Sequence, residues 1–117
     1  MSERIASVQH NGKTVLISDF SGLMGDELMA TMEKAIERDK AAPPNSRLLV
    51  DITGCRISKS IGDKAVEMGH EADRLKFKQA IVGVTGVQKV IFMAFNRKMH
   101  VASSREDAMN WLTKDDS

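Results

Sequence analysis

The sequence is poor in several residue types, and each scarcity excludes a class of protein. It has no tyrosine, one tryptophan and four phenylalanines, so it lacks the interleaved aromatic side chains on which single-stranded nucleic acids stack. Its seventeen basic and sixteen acidic residues leave a net charge of +1, too little to create a field that attracts nucleic acid or an anionic membrane. We therefore expect no nucleic-acid partner.

The shortage of cysteine and of long apolar runs limits where the chain can reside. Cys55 is the only cysteine, which excludes an internal disulfide and favours a reducing compartment. No sequence feature pairs this thiol with a histidine base, so we expect it to be inert. The longest apolar run, 90–95, is too short to cross a bilayer, and residues 1–8 lack the apolar core of a signal peptide. These absences predict a cytoplasmic protein without stable membrane insertion.

The hydrophobic patterning predicts one α/β domain over residues 1–117. Asn11-Gly12 between two strand-like runs predicts a hairpin with a type I′ turn. Unbroken apolar runs at 48–50 and 80–84 predict buried parallel strands. Helical apolar stripes alternate with these strands, and the last stripe carries Trp111, which we expect to be largely buried. The prediction is a hairpin followed by alternating helices and strands, in a mixed sheet of about five strands with about four helices.

Three polar turns predict the starts of helices. They lie at residues 58–60, at Thr85, and at Ser103 with Ser104, and each has side chains that favour N-capping. Parallel strands end at one edge of their sheet, so we expect these three starts to share one surface. The positive ends of three helix dipoles would then favour an anion or an acidic partner there.

Three longer stretches carry a family resemblance: NGKTVLISDFSGLMGDEL, LLVDITGCRIS, and AIVGVTGVQKVIFMAFNR followed by SREDAMNWL. They are similar to the SpoIIAA-like branch of the STAS superfamily, which includes anti-sigma-factor antagonists, and the similarity runs nearly end to end. The resemblance implies a STAS-like fold and a bacterial, non-enzymatic regulatory module. It also implies a protein partner, such as a kinase-like anti-sigma factor, that contacts the loop from Gly54 to Gly62.

The chain departs from the phosphorylation motif of those antagonists. In them, an aspartate-serine-serine-glycine motif follows the buried strand, and phosphorylation of its second serine turns off partner binding. If Gly62 is matched to the motif's glycine, lysine replaces the aspartate and isoleucine replaces the acceptor. N-capping alone would also explain the serines that remain in this turn. The resulting regulatory or partner-binding candidates are Ser58, Lys59, Ser60, Gly62, Thr85, Ser103 and Ser104.

A second function remains open beside the interaction module. The SpoIIAA-like branch is similar in architecture to CRAL-TRIO lipid-carrier domains, which implies an apolar small molecule or lipid as an alternative ligand. The predicted first and third helices carry side chains for such a pocket, although the same side chains also suit an ordinary core. They are Met24, Met29, Met32, Phe92, Met93 and Phe95. The oligomeric state stays open between a monomer and a homodimer.

An enzyme or a metalloprotein is less well supported. Glu67 and His70 lie one helical turn apart, which is half of a carboxylate metal site, but no second half is present in the sequence. No nucleophile, base and orienting group can be assembled from spacing alone. We predict no catalytic residue, no metal and no cofactor.

Overall fold

The computed structural model describes residues 4–56, 58–84 and 99–114. Its elements, numbered here in chain order, are five strands and three helices. The strands are β1 (Ile5–His10), β2 (Lys13–Asp19), β3 (Arg47–Asp51), β4 (Lys78–Val82) and β5 (Met99–Ala102), and the helices are α1 (Gly25–Ala41), α2 (Lys59–Arg74) and α3 (Arg105–Thr113). The helix predicted to begin near residue 87 lies outside the described residues.

The five strands form one mixed sheet in the order β1-β2-β3-β4-β5. β1 and β2 are antiparallel, whereas β2, β3, β4 and β5 are parallel to one another. Asn11 and Gly12 join the hairpin with φ values of 51° and 77°, and a type I′ turn requires positive φ at both positions. The predicted α/β class and five-stranded mixed sheet are confirmed, with three helices in the described residues against about four predicted.

The described helices divide unequally between the two faces of the sheet. α1 and α2 pack on the face that carries Leu16, Leu48 and Ile81. Among the described helices, α3 is the one on the other face, where it covers Val15 and Leu49. None of these three helices is both long and apolar enough to cross a membrane.

Trp111 is partly buried and packs against the core on the face that α3 covers. The α3 side chains that reach the core are Ala108 and Leu112, which are four residues apart and face the sheet. Trp111 lies on the flank of this stripe, where its ring stacks on His100 with 4.7 Å between the ring centroids. The Nζ of Lys78 lies 4.6 Å from the same ring.

Candidate functional site

The start of α2 presents the serines that the sequence analysis singled out. Ser58 is the N-cap residue, and its Oγ accepts a hydrogen bond from the N–H of Ile61 at 3.3 Å. The Oγ of Ser60 lies 3.3 Å from that of Ser58. Ser58, Lys59 and Ser60 are all exposed, and the first turn of α2 contains no acidic residue. The positive end of the helix dipole is therefore accessible and carries a lysine beside it.

The start of α3 is already occupied by a carboxylate. Ser104 is its N-cap, and its Oγ accepts from the N–H of Asp107 at 3.1 Å. Asp107 Oδ2 in turn accepts from the N–H of Ser103 at 3.0 Å, and this bond holds the pKa of the Asp107 carboxyl below its usual value. The capping pair at α3 is thus Ser104 and Asp107. A second anion would meet a negative charge here.

The sheet separates the predicted surface into two parts. α2 and α3 both begin at the edge where the parallel strands end, but they lie on opposite faces. Ser58, Lys59 and Ser60 are therefore on one face, and Ser103 and Ser104 are on the other. The expectation that these helix starts form a single surface is wrong, because α3 folds back over the face that α1 and α2 leave uncovered.

Two other predicted site residues have different outcomes. Gly62 lies in the first turns of α2 and is partly buried, so it contributes backbone rather than an exposed group. Its N–H donates to the carbonyl of Ser58 at 2.9 Å. Thr85 lies outside the described residues.

Between the two helix starts lie two turns with the same sequence pattern. The pattern is aspartate, an apolar residue, serine or threonine, then glycine, and it occurs at 19–22 and again at 51–54. The two glycines, Gly22 and Gly54, have φ values of 72° and 73°. The N–H of Gly22 donates to the carbonyl of Thr53 at 2.8 Å, which joins the turns side by side. This repeated pattern was not predicted from the sequence.

Each turn is closed by its aspartate in the same way. Asp19 Oδ1 accepts from the N–H and the hydroxyl of Ser21 at 3.0 and 2.6 Å. Asp51 Oδ1 accepts from the N–H and the hydroxyl of Thr53 at 2.9 and 2.6 Å. Asp19 and Asp51 are partners in the β2–β3 register, so the two carboxylates stand next to each other at the edge of the sheet.

Arg105, the first residue of α3, bridges these two carboxylates. Its Nε is 2.8 Å from Asp51 Oδ2, and its Nη2 is 3.1 Å from Asp19 Oδ2. Burial alone would raise the pKa of both carboxyls, but the hydrogen bonds from Ser21 or Thr53 and the guanidinium of Arg105 hold each pKa below its usual value. Both carboxylates are thus charged and fully engaged. This cluster braces the ends of β2 and β3 against α3 and does not form a poised acid–base pair.

The end of β4 approaches the second turn too closely for a side chain. Gly83 has a φ of 93°, and a Cβ built on it would lie 2.5 Å from the backbone nitrogen of Thr53. Glycine is therefore required at this position for both conformation and space. Gly83 thus allows the end of β4 to pack tightly against this turn.

The described residues offer little room for the alternative apolar ligand. A cavity of about 70 Å³ lies between α1, α2 and the sheet, with Met32 among its lining residues. Ligand pockets usually have about 300–1,000 Å³. Met29 is partly buried against the core, whereas Met24 is 55% exposed. The remaining candidates for this pocket, Phe92, Met93 and Phe95, lie outside the described residues.

Cys55 and Glu67 each interact with a neighbouring group of the fold. The Cys55 thiol donates to the carbonyl of Phe20 at 2.7 Å, and burial raises the pKa of this thiol. Glu67 pairs with Lys64 at 3.2 Å on the exposed side of α2. In the part of the chain that the structure describes, no three metal-ligating side chains come together.

No protein-family model matches this chain, and no curated protein matches its sequence. Among solved structures, the chain is similar to an anti-sigma-factor antagonist (STAS) domain protein from Planctomyces limnophilus. The TM-score is 0.60 at 14% sequence identity, and the match covers 89% of this chain and 94% of that one. The STAS-type fold implied by the sequence resemblance is thereby confirmed.

Proposed function

We propose that this chain is a non-enzymatic regulatory module that binds a protein partner through the start of α2. The observation that carries the proposal is the exposed turn Ser58-Lys59-Ser60 on a STAS-type fold, at the carboxyl end of parallel strands. Partners and ligands of parallel α/β sheets collect at this end. The solved structure that shares the fold is named for an anti-sigma-factor antagonist, which supports a partner of the anti-sigma-factor kind.

The geometry of this turn suits control by phosphorylation. A phosphate on Ser58 would sit at the helix N-terminus, where free N–H groups and the dipole favour anions. The first turn of α2 has no carboxylate to repel such a group, and Lys59 lies next to it. In contrast, Asp107 already occupies the corresponding position at α3. We therefore assign regulation to Ser58 and Ser60, with Lys59 as a partner contact.

Two observations favour this function over the alternatives. The cavity between α1, α2 and the sheet has only about 70 Å³, which is small for a lipid. The two carboxylates nearest the strand ends, Asp19 and Asp51, are occupied by Ser21, Thr53 and Arg105. They are therefore unavailable for general acid–base chemistry.

Photo-crosslinking can locate the partner surface. A photoreactive amino acid replaces exposed Ser60 in one variant and exposed Ser103, at the other face of the sheet, in a second. Both are incubated with the extract of the natural host, and crosslinked proteins are identified by mass spectrometry. We expect one protein to be crosslinked from position 60 and not from position 103. Equal crosslinking from both positions, or crosslinking only from position 103, would contradict the assignment.

A further inference from the structure

β1 forms an open edge of the sheet. It pairs with β2 on one side, and within the described residues no strand flanks its other side. The pairing runs without interruption from Ile5 opposite Ser18 to His10 opposite Lys13, so the strand contains no bulge. An edge strand of this kind presents unpaired backbone groups that another strand can bind.

The hydrogen-bond pattern identifies which residues face outwards. The N–H of Asp19 donates to the carbonyl of Arg4 at 2.9 Å, which makes these two residues a hydrogen-bonded pair. In an antiparallel ladder such pairs alternate, so every second residue after Arg4 turns its backbone groups towards β2. The residues between them turn theirs to the open edge. These outward residues are Ile5, Ser7 and Gln9.

β1 lacks the features that usually prevent another strand from pairing with the edge of a sheet. Natural edge strands are protected by lysine, proline, an inward charge or a bulge. The sequence of β1, IASVQH, contains no lysine and no proline, and its register has no bulge. The apolar side chain of Val8 is 40% exposed on the face that carries α3. The unprotected edge and the exposed valine coincide on one strand.

We propose that a second copy of this chain pairs with β1 in antiparallel orientation, with Ser7 directly opposite the partner's Ser7. The outward backbone groups of Ile5, Ser7 and Gln9 then meet those of the same residues in the partner, around a two-fold axis. The five-stranded sheets of the two copies join into one sheet of ten strands. This pairing is separate from the proposed partner surface at α2, which begins after β3.

The strand is self-complementary in this register. On the face that carries α3, Val8 lies beside the partner's Ala6 in a non-hydrogen-bonded pair, where side chains approach most closely. A shallow groove of about 240 Å³ adjoins these residues, with Ile17 and Met109 among its lining side chains. The second copy covers the outer side of this groove, whose lining also includes Arg105. On the other face, Ser7 meets the partner's Ser7, and no like charges are opposed between residues 5 and 9.

The interface is small. β1 has six residues, whereas stable interfaces bury about 1,200–2,000 Å² and involve about 20–30 residues on each side. We therefore infer a dimer that forms and dissociates with concentration rather than a permanent one.

Charge substitutions at Ser7 test this pairing. In the full chain, Ser7→Lys and Ser7→Glu each place two like charges opposite one another across the axis, which opposes pairing. A one-to-one mixture of the two variants places opposite charges there. We expect the parent, measured by analytical ultracentrifugation from about 10 μM to about 1 mM, to rise from its monomer mass of 12.9 kDa towards twice that value. Each variant should dimerise at least about tenfold more weakly, and the mixture should recover the parent's behaviour.

Thr14→Lys and Thr14→Glu are the matched controls. Thr14 is exposed on β2, one strand inside the edge and on the same sheet face as Ser7, so its substitution should leave the dimer intact. Thermal melting of every variant confirms folding, and a misfolded variant would not be rescued by mixing. A parent that keeps the monomer mass throughout, Ser7 variants that dimerise like the parent, or a mixture that fails to recover would each overturn the proposal.

Discussion

Arg105 and Asp51 join α3 to the sheet: the guanidinium Nε at the start of α3 lies 2.8 Å from the carboxylate Oδ2 at the end of β3. The Asp51 side chain is 7% exposed, and its other oxygen is occupied by Thr53. The same guanidinium reaches Asp19 at the end of β2. The Arg105 side chain thus fixes α3 against the ends of both β2 and β3.

We expect Arg105→Ala to lower the free energy of unfolding by about 1–3 kcal/mol, because it leaves the buried Asp51 carboxylate without its charged partner. Urea denaturation with linear extrapolation measures the change. Arg74→Ala is the control, since Arg74 pairs with Glu71 on the exposed surface of α2. If both substitutions change stability equally little, the Arg105 cluster does not brace the fold.

Acidification should weaken the fold through Asp51 and Asp19. Their pKa values are lowered in the folded protein, so the unfolded state takes up protons first as the pH falls. The stability that these carboxylates provide is fully present above the ordinary aspartate pKa of about 4 and is lost as the pH falls through the folded pKa values. Urea denaturation at several pH values between about 7 and 3 should show a smaller loss for Asp51→Asn than for the parent. An identical loss would contradict this role.

Asp39 should have the opposite effect. Burial raises the pKa of its carboxyl, and the attraction of Arg38, whose Nε lies 2.9 Å away, does not cancel this rise. The folded state therefore takes up this proton before the unfolded state and gains relative stability as the pH falls through the raised pKa. Asp39→Asn removes the gain, so its stability should fall more steeply on acidification than that of the parent. Parallel pH profiles for the two proteins would refute this assignment.

Gly83→Ala should destabilise the protein strongly because it combines an unfavourable φ with a collision against Thr53. We expect a loss of more than about 2 kcal/mol in urea denaturation. Gly12→Ala is the control: Gly12 also has a positive φ, 77°, but no atom beyond its own residue and its two chain neighbours lies within 4 Å of the added Cβ. Gly12→Ala should lower the free energy of unfolding by about 1 kcal/mol, the cost of the unfavourable backbone conformation alone. Equal losses would show that the close approach to Thr53 is unimportant.

Local sequence signals predicted the elements of this fold well. Asn11-Gly12 specified the hairpin because only a few residues adopt positive φ in succession, and the apolar run from Leu48 to Val50 specified a strand covered on both faces. These signals act over a few neighbouring residues. They are therefore visible without knowledge of the tertiary structure.

The arrangement of the candidate site was less accessible to sequence reasoning. Asp51 and Arg105 are 54 residues apart, and their contact depends on the strand register and on the face that α3 covers. The repeated pattern at 19–22 and 51–54 was a detectable signal, because two similar turns on neighbouring parallel strands must lie side by side. The separation of Ser58 from Ser104 by the sheet was not predicted, because it depends on which face of the sheet each helix covers.

The central claim, that the start of α2 is a regulated partner surface, is tested most directly by calorimetric titration of the crosslinked partner. The variant Ser58→Asp with Ser60→Asp adds the charge that phosphates would bring, and aspartate caps a helix about as well as serine. Ser104→Asp, the corresponding N-cap change at α3, is the control. We predict that the double variant melts like the parent but binds the partner at least about tenfold more weakly, a loss of about 1.4 kcal/mol, while Ser104→Asp binds normally. Unchanged affinity in the folded double variant would contradict the account.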